Sequence, residues 1–462
     1  MKRILTIATI LVACGLALGQ APALHAEDAP ELPDSWAGFA DRCDAAYIDS
    51  GNARYPDDQA VTVCFPDNWN GTLVVYAHGY VSPRDVPGVV VEEIGLPDYE
   101  ADLLAGVIPT VLDLGFATAT TGYSKLGWAL EPAQDNILTL VDHFKDNYSP
   151  DGKAKVLMVG ASEGGIITTM MLERFPETFA GGLSLCGVVG GAPYQFAYIG
   201  DFRVVFDYYF PDVFDFGAAD IPADAYEDWV PTPEEAGSPV ILPEAAAAFE
   251  ADPAAVDELF AVTDAPADPA NLDATRQNTM QQILFYNIWG SEDAFETTGG
   301  SPFRNVFTYY YGSSDDRALN RGVERLWGDS SARSYAREYY ETTGDLERPL
   351  ITIHNRYDPA VPFEHEIIYL LRTAFQGNLG NLLVIPPGLL AEDYGHCNFT
   401  ETETLVAFGL LVLRTLNAEP SAAVDIQADA LRRGIPHGHR LDALERVSAR
   451  FTQQLYLDNN SE

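Results

Sequence analysis

From Ala60 onward the chain alternates two kinds of segment. Short runs rich in β-branched and apolar residues recur at 61–65, 72–77, 116–120, 155–159, 182–185, 350–354 and 382–385. Several are apolar at nearly every position, which predicts strands buried on both faces. Between them lie longer stretches with helical spacing at 133–148 and 165–175, the second closed by Pro176, and a last one at 401–416. Strands alternating with helices predict a parallel sheet covered by helices, an α/β fold.

Two regions break this rhythm. Residues 27–59 are rich in Pro and Asp and are expected to wrap the surface as an N-terminal extension. Residues 190–344 hold no clear buried strand, and they carry aromatic clusters at Phe206-Asp207-Tyr208-Tyr209-Phe210 and Tyr309-Tyr310-Tyr311. That stretch predicts a helical insertion of the lid or cap type. Its aromatics would line a substrate pocket or form the insertion's own core. The sheet-forming core is then expected at 60–189 and 345–417, followed by a charged tail at 418–462. No internal repeat is evident.

The N-terminus reads as an export signal over residues 1–26. Lys2 and Arg3 precede an apolar run, and Ala23-Leu24-His25-Ala26 offers small residues for cleavage. The run is too short for a membrane span. Leu11-Val12-Ala13-Cys14 gives lipid anchoring at Cys14 as the minor alternative, because the apolar run continues past it. The expected location is secreted or periplasmic. Composition fits a folded chain, with 47% hydrophobic and 11% aromatic residues. The net charge of −41 disfavours nucleic acid and anionic lipid as partners.

The chemistry centres on Gly160-Ala161-Ser162-Glu163-Gly164-Gly165, between a predicted strand and a predicted helix. A strand–serine–helix turn is strained and crowded, so it needs Gly160, Gly164 and Gly165, and it presents the serine hydroxyl above the sheet. A hydroxyl needs a base to act as a nucleophile. Of eight histidines, His25 falls in the signal, His143 in a helix, and His437 and His439 in the tail, while His365 is placed to cap a helix. His396 lies in a loop between the last strand and the last helix, where an imidazole can reach the serine. Asp358, on a loop directly after the strand at 350–354, is placed to hold that imidazole, whereas Glu392 and Asp393 are too close to His396 in sequence. The main-chain N–H of Glu163 and that of Tyr80, in the His78-Gly79-Tyr80 loop after an early strand, are the expected oxyanion donors. The Glu163 carboxylate is expected to face solvent, and His78 to be structural. No set of side chains has convincing metal spacing, with only His437-Gly438-His439 as a hint, and no cofactor is expected.

The chain order Ser162, Asp358, His396, with His78-Gly79 and the elbow glycines, resembles the α/β-hydrolase superfamily over about residues 60–190 and 345–417. The Gly164-Gly165 pair and the run from Asp358 to Pro362 look like those of secreted esterases and prolyl-oligopeptidase-type catalytic domains, although too little chain precedes Ala60 for a propeller. The resemblance implies an α/β-hydrolase fold with a mostly parallel sheet of about eight strands, and a metal-independent acyl-enzyme mechanism on a small or polymeric ester. A peptidase or amidase with the same triad is the alternative, and a non-catalytic binding protein on the same scaffold is the second. Oligomeric state is left open.

Four cysteines follow the signal, and they allow three pairings. Cys43 and Cys64 are close in sequence and are the expected pair. Tannases and feruloyl esterases join the residue before the nucleophile to the residue after the histidine. Here Cys397 follows His396 but Ala161 precedes Ser162. The resemblance therefore implies Cys186, at the end of the strand after the nucleophile helix, as the partner of Cys397, in a bridge that would brace the histidine loop.

Overall fold

In the computed structural model, residues 29–232, 240–389 and 393–416 are described. The signal, Cys14, Glu392 and the tail with His437 and His439 lie outside them. Eight strands form one sheet: β1 (Cys43–Ile48), β2 (Gln59–Cys64), β3 (Thr72–Ala77), β4 (Ala117–Thr121), β5 (Lys155–Ala161), β6 (Phe179–Leu185), β7 (Leu350–Ile353) and β8 (Leu382–Ile385). Their order is β1-β2-β4-β3-β5-β6-β7-β8. β2 runs antiparallel to β1 and β4, and every other neighbour is parallel. That is the strand order of the α/β-hydrolase fold, and it puts the carboxyl ends of β3, β5 and β7 on one rim.

Strand alternation sorts the apolar residues into two layers. Leu73, Val75 and Ala77 of β3 face one layer, with helix α2 (Leu130–Asn147) and helix α3 (Glu163–Arg174). Val74 and Tyr76 face the other, with α1 (Asp98–Asp113) and the last helix (Glu401–Leu416). α2 begins earlier than the apolar spacing alone predicts, since Pro132 sits in its first turn, where its missing N–H costs no helical bond. α3 likewise begins at Glu163 and not at Gly165.

The N-terminal extension is more ordered than its composition predicts. It contributes β1, and the buried Trp36 donates its indole N–H to the Ala101 carbonyl at 2.8 Å. β1 is an edge strand with Asp44 and Tyr47 exposed and no fully buried residue, and it is built partly of Asp and Ala, so it lacks the apolar run that marks the central strands. Cys43 and Cys64 lie opposite each other in the β1–β2 register and are disulfide-bonded.

The insertion is mainly helical. Its first long helix, α4 (Ala192–Tyr209), buries Phe202 and Phe206 against the helices Pro253–Thr263 and Leu272–Phe285. A two-residue ribbon, Val230–Pro231 with Val240–Ile241, is its strand content among the described residues. The aromatic clusters resolve as the insertion's own core: Phe206, Phe210 and Tyr310 are buried, while Tyr309 and Tyr311 are exposed.

Candidate active site

β5 ends at Ala161 and α3 begins at Glu163, so Ser162 carries the whole change of direction. Its φ is 54°, a left-handed value costly for a serine. The neighbouring glycines make the turn possible. A side chain at Gly160 would collide with the Gly164 carbonyl, and one at Gly164 with the Ala77 carbonyl. At Gly165 a Cβ would lie 2.5 Å from Ser184 Oγ.

The structure brings three distant side chains together on this rim. Ser162 Oγ lies 2.9 Å from His396 Nε2. His396 Nδ1 lies 3.0 and 2.9 Å from the two oxygens of Asp358. Asp358 is fully buried, and its Oδ1 accepts the N–H groups of Ala360 and Val361, each at 2.9 Å. A carboxylate fixed by main-chain donors can hold the imidazole in one tautomer.

Cys397, the residue after the histidine, is disulfide-bonded to Cys186, just beyond β6. The Cys186 N–H in turn donates to the Ile353 carbonyl of β7 at 2.9 Å, which ties the histidine loop to two strands. Cys186, His396 and Cys397 are the one close group of possible metal ligands among the described residues, and both sulfurs are committed to that disulfide.

On the other flank, Gly79 follows β3 directly beside the nucleophile. A Cβ built on it would sit 3.4 Å from Ser162 Cβ. The Tyr80 N–H comes one peptide later and the Glu163 N–H opens α3, so both expected oxyanion donors border the serine. His78 is buried, stacks on Tyr123 with ring centroids 4.0 Å apart, and bonds Gly79 O through Nδ1 at 2.7 Å. Burial lowers its pKa to about 4, so it is neutral.

Two expectations need correction. The Glu163 carboxylate does not face solvent. It is 1% exposed, its Oε1 accepts the Ala129 N–H at 2.7 Å before α2, and its Oε2 has no partner. Burial raises its pKa to about 8, against the Ala129 bond and the charge of Lys125. The reason is the helix start: with α3 beginning at residue 163, its first turn packs inward. His365 does not cap a helix but lies buried inside Glu364–Gln376, where Nδ1 accepts the Gly190 N–H at 3.1 Å and Nε2 meets Gln195 Oε1 at 2.8 Å. Asp393 is half exposed beside Arg356, away from the imidazole.

Other buried groups were not singled out by the sequence. His354, at the end of β7, lies 3.5 Å from Asp358 Oδ2 and 3.4 Å from Glu366 Oε1. Burial opposes its cation, but the Glu366 bond and the charges of Asp358 and Glu366 outweigh burial and raise its pKa. Its position at a strand end, four residues before Asp358, is the signal that would have found it. Glu100 of α1 accepts the Tyr76 hydroxyl at 2.8 Å and the Gly79 N–H at 3.0 Å. Nothing in the sequence marks that contact, because it joins residues 21 apart across a loop.

The insertion touches both flanks. Tyr80 donates its hydroxyl to the Trp289 carbonyl at 3.0 Å, and Tyr394 of the histidine loop donates to the Thr275 carbonyl at 3.0 Å. Trp289 belongs to a π-helical turn, Tyr286–Gly290, whose Tyr286 ring meets the Tyr80 ring edge-on at 6.1 Å.

No family model matches the sequence. A stretch of 134 residues is 27% identical to the o-phthalyl amidase of Xanthobacter agilis, covering 28% of this chain and a quarter (25%) of that protein's length. Among solved structures, the chain is similar to Est1E from Butyrivibrio proteoclasticus, at 14% identity and TM-score 0.36, over 81% of this chain and 99% of that one. It is also similar to a proline iminopeptidase of Mycobacterium smegmatis, at 13% identity and TM-score 0.38, over 81% and 100%. An esterase of Pyrococcus furiosus matches at 12% identity and TM-score 0.40, over 84% and 97%. Its sheet order and its strand–serine–helix elbow are those of the α/β-hydrolase fold, and its serine, aspartate and histidine follow one another along the chain in the order that fold uses.

Proposed function

We propose that this protein is an exported serine hydrolase that cleaves carboxylic esters through an acyl-enzyme. The observation that carries the reading is the unbroken chain of contacts from Ser162 Oγ through His396 to Asp358, at 2.9 and 2.9–3.0 Å. Ser162 Oγ attacks the ester carbonyl carbon while His396 Nε2 takes the hydroxyl proton. The new oxyanion is held by the N–H groups of Tyr80 and Glu163. As the carbonyl re-forms, the bond to the alkoxy oxygen breaks and His396 returns its proton to the leaving alcohol. Water, activated by the same imidazole, then attacks the acyl-enzyme and frees the acid.

The insertion acts as a cap, since it is bonded to the oxyanion loop at Tyr80 and to the histidine loop at Tyr394. Two disulfides and the basic–apolar N-terminus support export. Among the described residues, no helix is long and apolar enough to cross a membrane.

Amide cleavage is the second reading, favoured by the short match to an o-phthalyl amidase. The two share every step except the leaving group. A fluorophosphonate probe should label the purified protein at Ser162. A panel of p-nitrophenyl esters, aminoacyl anilides and an o-phthalyl amide should then show esters turned over fastest. An unlabelled Ser162 removes the serine-hydrolase reading, and faster amide turnover replaces the ester reading with the second.

A further inference from the structure

We propose that Glu100 is a positioning residue that aims the oxyanion donor, an inference that rests on the serine-hydrolase reading above. Glu100 lies in the first turn of α1 and is 7% exposed. Its carboxylate reaches over the end of β3, where Oε2 takes the Tyr76 hydroxyl at 2.8 Å and Oε1 takes the Gly79 N–H at 3.0 Å. Gly79 is the sole spacer between this carboxylate and the nucleophile. A Cβ on Gly79 would sit 2.7 Å from Glu100 Oε1 and 3.4 Å from Ser162 Cβ. The Gly79 N–H turned onto Glu100 fixes the 78–79 peptide plane, the His78 Nδ1 contact with the Gly79 carbonyl at 2.7 Å fixes the next plane, and the Tyr80 N–H of that plane is left for the oxyanion.

The ionised carboxylate accepts both donors at once and gives the Gly79 N–H a charged acceptor, which makes the stronger bond. The protonated form keeps a neutral acceptor oxygen for Gly79 and turns the Tyr76 contact around. Burial raises the Glu100 pKa to about 7, against the Tyr76 and Gly79 bonds and the charge of His396. The ionisable groups that face it are Tyr76 of β3, Tyr99 of its own helix, Tyr123 after β4, Glu163 of α3, Tyr286 of the insertion and His396. The folded-state pKa sets the sign: below about 7 the loop hangs on a neutral acceptor, and as pH rises through that value the charged acceptor tightens it.

The test measures the full chain and two variants. Glu100→Ala should lower kcat on the order of 10², the effect of losing one oxyanion donor, with KM little changed. Glu100→Gln keeps an acceptor oxygen for Gly79 and should recover most of that loss. In Glu100→Gln the change in kcat/KM near pH 7 that the parent owes to Glu100 should be absent from the acid limb. An activity-independent readout is the Gly79 amide resonance in ¹⁵N-glycine-labelled protein. It should titrate near pH 7 in the parent and stay fixed in Glu100→Gln, whether or not any ester is hydrolysed. Fluorophosphonate labelling of Ser162 separately reports on the hydrolase reading. A Gly79 resonance that does not titrate, or an unaltered acid limb in Glu100→Gln, overturns the positioning role.

Discussion

The sheet core and the insertion each enclose a large apolar cluster, but the buried charged groups at the heart of each are paired differently. Inside the insertion, the fully buried Arg203 is completely satisfied. It reaches Asp207 at 2.8 Å, Asn287 at 2.6 Å and the Phe216 carbonyl at 2.7 Å, and the Phe214 ring lies 3.9 Å from its guanidinium carbon. On the rim of the sheet core, by contrast, Glu100 and Glu163 are buried carboxyls with raised pKa values, and Glu163 keeps an oxygen with no partner. Ser162, Cys186 and Cys397 all stand there at positive φ. The difference teaches where each region's polar groups act. In the insertion they fix a shape. At the rim, strain and incomplete pairing are held in place by the packing beneath, as is usual around a reacting centre.

The largest effect should come from the rim itself. Ser162→Ala and His396→Ala should each lower turnover on the order of 10⁶, and Asp358→Asn by about 10⁴, with all three proteins folded. Circular dichroism and steady-state rates on one ester check this together. A Ser162→Ala rate within tenfold of the parent would mean that the rim is not the reacting centre, and the contrast between the regions would lose its functional meaning.

Glu163→Gln asks whether the rim really stores an unfavourable charge. Glu163 has a folded pKa of about 8, raised above the ordinary carboxylate value. Its neutral form is therefore favoured by folding, and that contribution is complete below the ordinary value. It is lost as pH rises from there to about 8, at about 1.4 kcal/mol per pH unit. Glutamine cannot ionise, so the melting temperature of Glu163→Gln relative to the parent should climb steadily between pH 5 and 8. A gap that is constant with pH would show that Glu163 is not held as a neutral acid.

Arg203→Met probes the other side of the comparison. It leaves Asp207 and the acceptors of Asn287 and Phe216 buried without their cation, which should cost roughly 3–5 kcal/mol of insertion stability by denaturant unfolding. Labelling of Ser162 by a small phosphonate should survive, because the triad hangs on the sheet. Loss of labelling together with loss of insertion stability would merge the two regions into one cooperative unit.

These contrasts explain what was legible in the sequence. The central strands are apolar throughout because they are covered on both faces, so they stand out, and the loops that follow them carry the side chains of the proposed triad. Ser162 between glycines, Asp358 after β7 and His396 before the last helix are visible for that reason. β1 is an edge strand without such a run, and the sequence shows it only as part of an extension that wraps the surface. Glu163 was read as solvated because a glutamate in an elbow carries no sign of its burial. That burial follows from where α3 starts and from the N-terminal approach of α2, and both are tertiary facts. The aromatic clusters of the insertion looked equally suited to a pocket or a core. Helix packing decided for the core at Phe206 and Phe210, and no periodicity in residues 206–210 could have shown it.

The smallest expected effect tests the joint between the regions. Tyr80 belongs to the rim through its main chain and to the insertion through its side chain. Tyr80→Phe removes the 3.0 Å bond to the Trp289 carbonyl and leaves the Tyr80 N–H in place. One neutral hydrogen bond is worth about 1 kcal/mol, so kcat/KM should fall roughly five-fold. The ring still packs edge-on to Tyr286, so the oxyanion loop keeps most of its support. If the insertion only covers the site, the loss should appear in KM, because a looser cap binds substrate less well. If the bond also steadies the oxyanion donor, kcat should fall instead. The split between the two constants therefore measures how far the insertion supports the strained rim beside it.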